Sequence, residues 1–543
     1  MRSSDIALVA LVVIVVALSI GSVRLDSATA DEPAHIANGV IKLTEGWLNF
    51  FREQPPLMNS LSAAPVVLAG YRVQPGWKGK DHWVVGRRFL YYSGFDAHRI
   101  LFLARLPTIA LFAALCVVMY MFVLRQTGSR AWALFAAALS GFCPNLMAHA
   151  RLATVDFALT FFAFSAAVLF IALIARPRAT TAILLGVMTA AAALSKISGL
   201  ILGPYFLVLL AIAFVMRRVD DPRRLMKALA IAAAAALVFF EAFMLLETSA
   251  AYAREQYPTM PRLVVPFAEY IANVQTIRVW YTRGHTLPQF LLGRFSFDSW
   301  PEYYPTAFLL KTTLPAIVLF VMALVVGIRR RSFPFLALLL FVALFFAVAA
   351  MGHLALGIRY VLAIYPFLYA ATAIALSQPR PEARGPRPMI LVGVLLLWHI
   401  GENLATYPSY IAYFNELIGS RANADKFLID SNLDWGQDLQ HLGQWIEWHG
   451  VHEPIDLAYF GTAEPRYYGV SFFNFSDQYL FAPCQPLREA KSKIFAISVN
   501  EMVRGRDGDR WAFRDFLQRR QARLVGRAGM TIEIYEMAAG PRP

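Results

Sequence analysis

The sequence predicts a polytopic α-helical membrane protein carrying a soluble C-terminal extracytoplasmic α/β domain. Of its 543 residues, 58% are apolar and 16% charged, with a mean hydropathy of +0.50; soluble domains run nearer to 45–50% apolar and about 25% charged. Roughly eleven apolar runs approach the ~20 residues that a membrane span needs. After residue 407 the composition turns soluble. An ordinary soluble enzyme, a disordered chain and a disulfide scaffold are all disfavoured. Cys116, Cys143 and Cys484 have no zinc or redox spacing and make an odd number.

The runs lie near 6–24, 100–124, 131–148, 152–175, 179–195, 198–216, 226–247, 307–328, 332–351, 357–377 and 388–406. The first has a competing reading, because Arg2, an apolar stretch to Ile20 and Ala28-Thr29-Ala30 also fit a cleavable signal peptide. An uncleaved span is preferred, since further spans follow it. Either way the next segment is exported.

Orientation follows from the short loops. With the N-terminus inside, the loops 125–130, 176–178, 217–227, 329–331 and 378–387 hold fifteen Lys and Arg, against Arg151 and Lys196 in the short outside turns. The positive-inside rule therefore selects N-in and C-out. Most of the net charge of +14 is then a topology signal, and nucleic-acid binding is disfavoured. The longer segments 25–98, 249–306 and 407–543 all fall outside.

Two domains result: 1–406, with the membrane helices and outside loops, and 407–543. In the second, strand-like runs at 426–430, 455–459, 494–499 and 530–535 alternate with helix-like ones. Leu439, Leu442, Trp445 and Ile446 share a face at 3.6-residue spacing in 437–449, and Trp511, Phe513 and Phe516 begin a second such segment. Pro379 to Pro388 reads as a rigid, basic cytoplasmic connector.

Ionisable groups concentrate at the outside face. Asp31-Glu32-Pro33-Ala34-His35 follows the first span; Asp and Pro there could cap a helix, or the carboxylates could supply a general base. The two readings are compatible if Glu32 caps while Asp31 faces a cleft. Arg52-Glu53-Gln54-Pro55-Pro56-Leu57 reads as a stiff turn between helices. Asp156 at the outside end of the fourth span is costly unless it faces protein or water, and its structural alternative is an ion pair with Arg151.

Arg151, Lys196, Lys311 and Arg359 stand at outside ends of separate spans, against the bias of the other fifteen cations. They could snorkel to headgroups; four together favour an anionic ligand, such as a phosphate at the bilayer surface. A site with both could use a carboxylate to deprotonate an acceptor hydroxyl while the cations stabilise a departing phosphate. A proton-coupled transporter would instead place its groups near mid-membrane, where Glu241 is the main candidate.

Asp31-Glu32, Gln54-Pro55-Pro56-Leu57, Arg105-Leu106-Pro107, Thr154-Val155-Asp156 and Ser195-Lys196-Ile197-Ser198-Gly199 resemble, in order and spacing, the motifs of polyprenyl-phosphate-sugar-dependent GT-C glycosyltransferases, such as protein O-mannosyltransferases and the lipid A aminoarabinose transferase. Leu291-Leu292-Gly293, Trp300 to Tyr304, Lys311-Thr312 and Ser431 to Leu439 are similar to a bacterial, phospholipid-carrier-dependent branch. The resemblance implies a GT-C fold, an extracytoplasmic site and inversion at the anomeric carbon. It makes Asp31 the base, with Glu32 and Asp156 positioning substrate, and makes Lys196, Lys311 and Arg359 lipid-phosphate ligands. His35, Gln54, Arg151 and Tyr304 are further substrate-binding candidates.

The implied partners are a polyprenyl-phosphate-linked sugar, membrane lipids and an acceptor protein, lipid or glycan. No cofactor is firmly implied; a divalent cation is compatible. Gln54 departs from the family's usual Lys or His before Pro-Pro-Leu, so the donor cannot be borrowed from either relative. Asp430, Asp434 and Asp438 invite a metal or sugar reading, but Gly436 interrupts any shared helix face, and a loop with an N-cap is preferred. The rival functions are a flippase or transporter of lipid-linked sugars and a noncatalytic scaffold of the same fold.

Overall fold

The computed structural model describes residues 3–47, 51–74, 81–283, 288–377, 387–479, 481–505 and 512–537. Trp511 and nearly all of the basic connector lie outside these. Every one of the apolar runs is helical. Among the described residues seven helices are long and apolar enough to cross a membrane, or eight if Tyr303–Lys311 and Leu314–Arg330, bent by 113°, are one span. The other runs are short or broken. The run at 131–148 divides into Arg130–Gly141 and Pro144–His149, Ala179–Ser195 has 17 residues, and a 3-10 turn Ile358–Val361 precedes Ile364–Leu376. Pro144 and Pro315 each stand in the first turn of the helix after a break, where a missing N–H costs nothing.

The first loop, after helix Ser3–Val23, folds into helices Glu32–Glu45, Leu57–Leu68 and His82–Tyr91. The first two approach so closely that a Cβ at Gly39 would stand 2.0 Å from the Asn59 carbonyl oxygen. Pro55-Pro56 ends in a helix start, with Pro56 at the N-cap position of the second.

The C-terminal segment carries a five-stranded sheet of β3 (Ile455–Ala458), β4 (Phe472–Asn474), β5 (Ile494–Ser498), β6 (Arg523–Ala528) and β7 (Ile532–Glu536) in the order β4-β3-β5-β7-β6. The hairpin of β1 (Gln289–Leu291) and β2 (Arg294–Ser296) is separate. Strand β3 pairs parallel with β4 and β5, while β7 runs antiparallel between β5 and β6. The expected strand at 426–430 is absent: 3-10 turns Arg421–Lys426 and Asp430–Asn432 flank it, and Asp430 has φ +61. A short apolar run alone does not distinguish a buried strand from a buried loop. Helix Leu439–Trp448 buries Leu439, Leu442 and Ile446 as its periodicity predicts.

One apolar cluster joins Ile36, Val40, Val66 and Phe89 of the first loop, and Leu101 of helix Ala97–Thr127, to Leu442, Leu457, Tyr459, Tyr479 and Ile534 of the C-terminal segment. The sheet is thereby seated on the first-loop helices.

Candidate active site

Asp31 occupies the N-cap position of helix Glu32–Glu45, but its side chain makes no capping bond. It turns to Arg359, whose Nη1 donates to Oδ2 at 3.1 Å. The same Nη1 stands 3.6 Å from Asp156 Oδ2, and Lys196 Nζ donates to Asp156 Oδ1 at 2.5 Å. Two carboxylates and two cations from four parts of the chain therefore alternate: Asp31, Arg359, Asp156, Lys196. Asp156 pairs with Lys196 and Arg359 rather than with Arg151. The Tyr360 ring backs the cations, 4.2 Å from Lys196 Nζ and 5.1 Å from the Arg359 guanidinium carbon.

Accessibility separates the carboxylates. The Asp31 side chain is 22% exposed, Asp156 1% and Glu32 0%. Glu32 is held by Arg105 in a bidentate pair, Nη2 to Oε2 at 2.6 Å and Nε to Oε1 at 2.8 Å, and also accepts from the backbone N–H groups of Thr29 and Ala153. Burial opposes ionisation, but the Arg105 guanidinium and these donors hold Glu32 below the usual Glu range. Arg105 further donates to the carbonyls of Val23, Asp26 and Ser27. It thus fixes the chain entering Asp31.

The other candidates have different surroundings. Buried His35 pairs through Nδ1 with Asn59 Oδ1 at 2.8 Å and packs on Phe51; burial lowers its pKa despite the nearby Asp31, so it is neutral at physiological pH. Gln54 Oε1 is buried without a hydrogen-bond partner among the described residues. Its neighbour Glu53 is pushed up to about 7 by burial and by the charges of Asp31 and Asp81. Arg151 is fully buried against Asp26. Tyr304 donates to the Leu354 carbonyl at 2.6 Å and lies 6.5 Å from Tyr360, ring to ring. Lys311 donates to the carbonyls of Ile411 and Asn432, and sits 4.5 Å from the centre of the Phe414 ring. The structure thus brings together Asp31, Asp156, Lys196 and Arg359, while Glu32, Arg151 and Lys311 are engaged in buried contacts of their own. Glu241, within span Pro222–Leu246, has no hydrogen-bond partner among the described residues.

The Asp-rich stretch is internally bonded. Asp438, at an N-cap position without a capping bond, accepts from Met530 N, Thr531 N and Thr531 Oγ1. Asp434 accepts from Gly436 N and Ser498 Oγ, and Asp430 pairs with Arg504 at 2.7 Å. Among the described residues no group of three His, Cys, Asp or Glu is arranged to hold a metal. Sequence reasoning missed Tyr360 and did not single out Trp435, whose ring lies 4.3 Å from the Arg359 guanidinium carbon. An aromatic beside an out-of-place cation was the available signal for Tyr360. Trp435 has no such local signal.

Apolar helices gathered around a first loop that opens on Asp31-Glu32, with the carboxylate–cation cluster at that opening, define a polytopic membrane protein, and its structural likeness is to the GT-C fold. The family model described as dolichyl-phosphate-mannose-protein mannosyltransferase matches residues 48–254, a stretch that includes Arg105, Asp156 and Lys196 but neither Asp31 nor Arg359. Among solved structures, ArnT from Cupriavidus metallidurans in the apo state is similar over 100% of both chains at 12% identity and a TM-score of 0.53. The same protein bound to undecaprenyl phosphate is similar over 100% of both chains at 14% identity and a TM-score of 0.50. No curated protein matches the chain. The structural likeness establishes the fold, and with the family-model match it supports a membrane glycosyltransferase.

Proposed function

We propose that the chain transfers a sugar from a polyprenyl-phosphate carrier to an acceptor hydroxyl at the extracytoplasmic face, with inversion. The observation that carries this reading is the exposed Asp31 carboxylate set against two more deeply buried cations, Lys196 and Arg359. Asp31 takes the proton of the hydroxyl as its oxygen bonds to the anomeric carbon. The bond from that carbon to the phosphate oxygen breaks, and the electron pair leaves with the phosphate. General-base action contributes on the order of 10²–10⁴-fold. Lys196 and Arg359 stabilise the charge developing on phosphate, and Asp156 keeps both in place. The likeness to a protein bound to undecaprenyl phosphate supports a lipid-phosphate donor.

In this reading the protein lies in a bacterial inner membrane with its N-terminus in the cytoplasm, residues 1–406 as the transferase domain and 407–543 as an extracytoplasmic domain. Purified wild type and Asp31→Asn, offered a panel of polyprenyl-phosphate sugars with membrane extract as acceptor source, test the reaction. Release of free polyprenyl phosphate by wild type alone, with lipid binding retained in the variant, supports the reaction class and the base. Undiminished release by a folded Asp31→Asn protein overturns Asp31 as the base. Movement of lipid-linked sugar across a vesicle membrane without release would replace the transferase by a flippase.

A further inference from the structure

The geometry points to Trp435 and Ser431, both outside the membrane helices, as positioning residues that aim Arg359 at Asp31 and Asp156; this inference rests on the transferase reading above. Arg359 follows the left-handed Gly357, φ +114, in the short turn Ile358–Val361. Its long side chain has several rotamers, and a guanidinium free to choose among them would spend little time between two carboxylates. Three contacts remove that freedom. Ser431 Oγ accepts from Arg359 Nε at 3.0 Å, the indole of Trp435 covers one face at 4.3 Å, and Nη1 is left to meet Asp31. An indole face attracts a guanidinium most strongly where water is excluded, and Trp435 is 1% exposed.

Both supports are themselves fixed. Ser431 Oγ donates to the Leu356 carbonyl, so the hydroxyl cannot rotate away from its role as acceptor. The Trp435 backbone N–H donates to Gln437 Oε1 at 2.7 Å, and the Trp435 carbonyl accepts from the backbone N–H of Ala30, one residue before Asp31, at 2.8 Å. Thr462 Oγ1 donates to the Ala30 carbonyl at 2.6 Å, and Ser27 N donates to the Gln437 carbonyl at 2.9 Å. Trp435 therefore holds both halves of the pair: its backbone holds the segment entering Asp31, and its ring holds the cation facing Asp31. A domain outside the membrane segment completes the alignment of base and phosphate ligand.

The test uses the full-length protein in detergent with Trp435→Leu, Trp435→Phe, Ser431→Ala, Arg359→Met and the double variant Trp435→Leu/Arg359→Met. In thermal unfolding, the Leu and Met substitutions are expected to be non-additive, because each removes the same contact. With a polyprenyl-phosphate sugar that wild type turns over, Trp435→Leu and Ser431→Ala are expected to lower kcat by about 10- to 100-fold, since small misplacements of reacting groups cost that much. KM for the donor is expected to stay within about threefold, and Trp435→Phe to recover most of kcat. Additive unfolding midpoints, or equal kcat for the Leu and Phe variants, overturn the proposal. If wild type transfers no sugar, the transferase reading falls, and the unfolding cycle by itself decides whether Trp435 holds Arg359.

Discussion

Arg359 reaches Asp31 across 328 positions of sequence, Nη1 to Oδ2 at 3.1 Å. The pair is partly open, at 12% and 22% side-chain exposure, whereas the neighbouring Arg105–Glu32 pair is closed at 1% and 0%. Adjacent carboxylates in sequence thus have opposite assignments, one partly open to solvent and one anchoring the chain.

Asp31→Asn keeps the volume of the side chain and removes its ability to take a proton. Transfer should fall by about 10²–10⁴-fold with the unfolding midpoint little changed. A donor-release assay beside a thermal melt separates the two effects.

Arg105→Ala should fail differently. Removing one partner of a buried pair leaves an uncompensated charge and costs roughly 3–5 kcal/mol, so the variant should lose stability and activity together. Glu32 is held below its ordinary range, so the stabilisation from this pair is complete above that range and is lost as pH falls through the lowered folded value. Glu32→Gln should flatten the acid side of a stability–pH curve; an unchanged acid limb would contradict the assignment.

Asp434 and Glu501 have the opposite sign. Burial pushes each up to about 7, so the folded protein binds protons that the unfolded chain releases. Their contribution is present below the usual carboxylate range and declines as pH rises from there through about 7. Asp434→Asn should weaken the fall in melting temperature between pH 5 and pH 8, measured by differential scanning fluorimetry.

Gly357→Ala probes the turn that presents Arg359. At φ +114 an alanine is strained, and its Cβ would stand 2.4 Å from Ser431 Oγ; such strain costs of order 1–3 kcal/mol. Activity should fall more than stability, because the displaced serine is an Arg359 ligand.

Truncation after residue 406 should not leave a sound membrane domain. It would uncover Ile36, Val40, Val66 and Phe89 of the shared apolar cluster and release the bonds that Trp435 and Gln437 make to Ala30 and Ser27. The expected outcome is aggregation in size-exclusion chromatography. A monodisperse truncated protein would contradict this.

The apolar runs, their charge bias and the acidic start of the first loop are legible locally, because hydration cost, helix length and turn chemistry act within a few residues. Asp31, Asp156, Lys196 and Arg359 could be proposed on that basis, since each is an ionisable group where water or protein must compensate it. Which cation meets which carboxylate is not a local property. Arg151 and Lys311 carry the same charge at similar span ends, yet one is tied to Asp26 and the other to the carbonyls of Ile411 and Asn432. Helix rotation, the break before Leu314 and the seating of the C-terminal sheet decided those pairings. The physical reason is distance: Coulomb attraction and hydrogen bonding depend on a few ångströms in space, and only the packed chain brings Trp435, Arg359 and Asp31 that close.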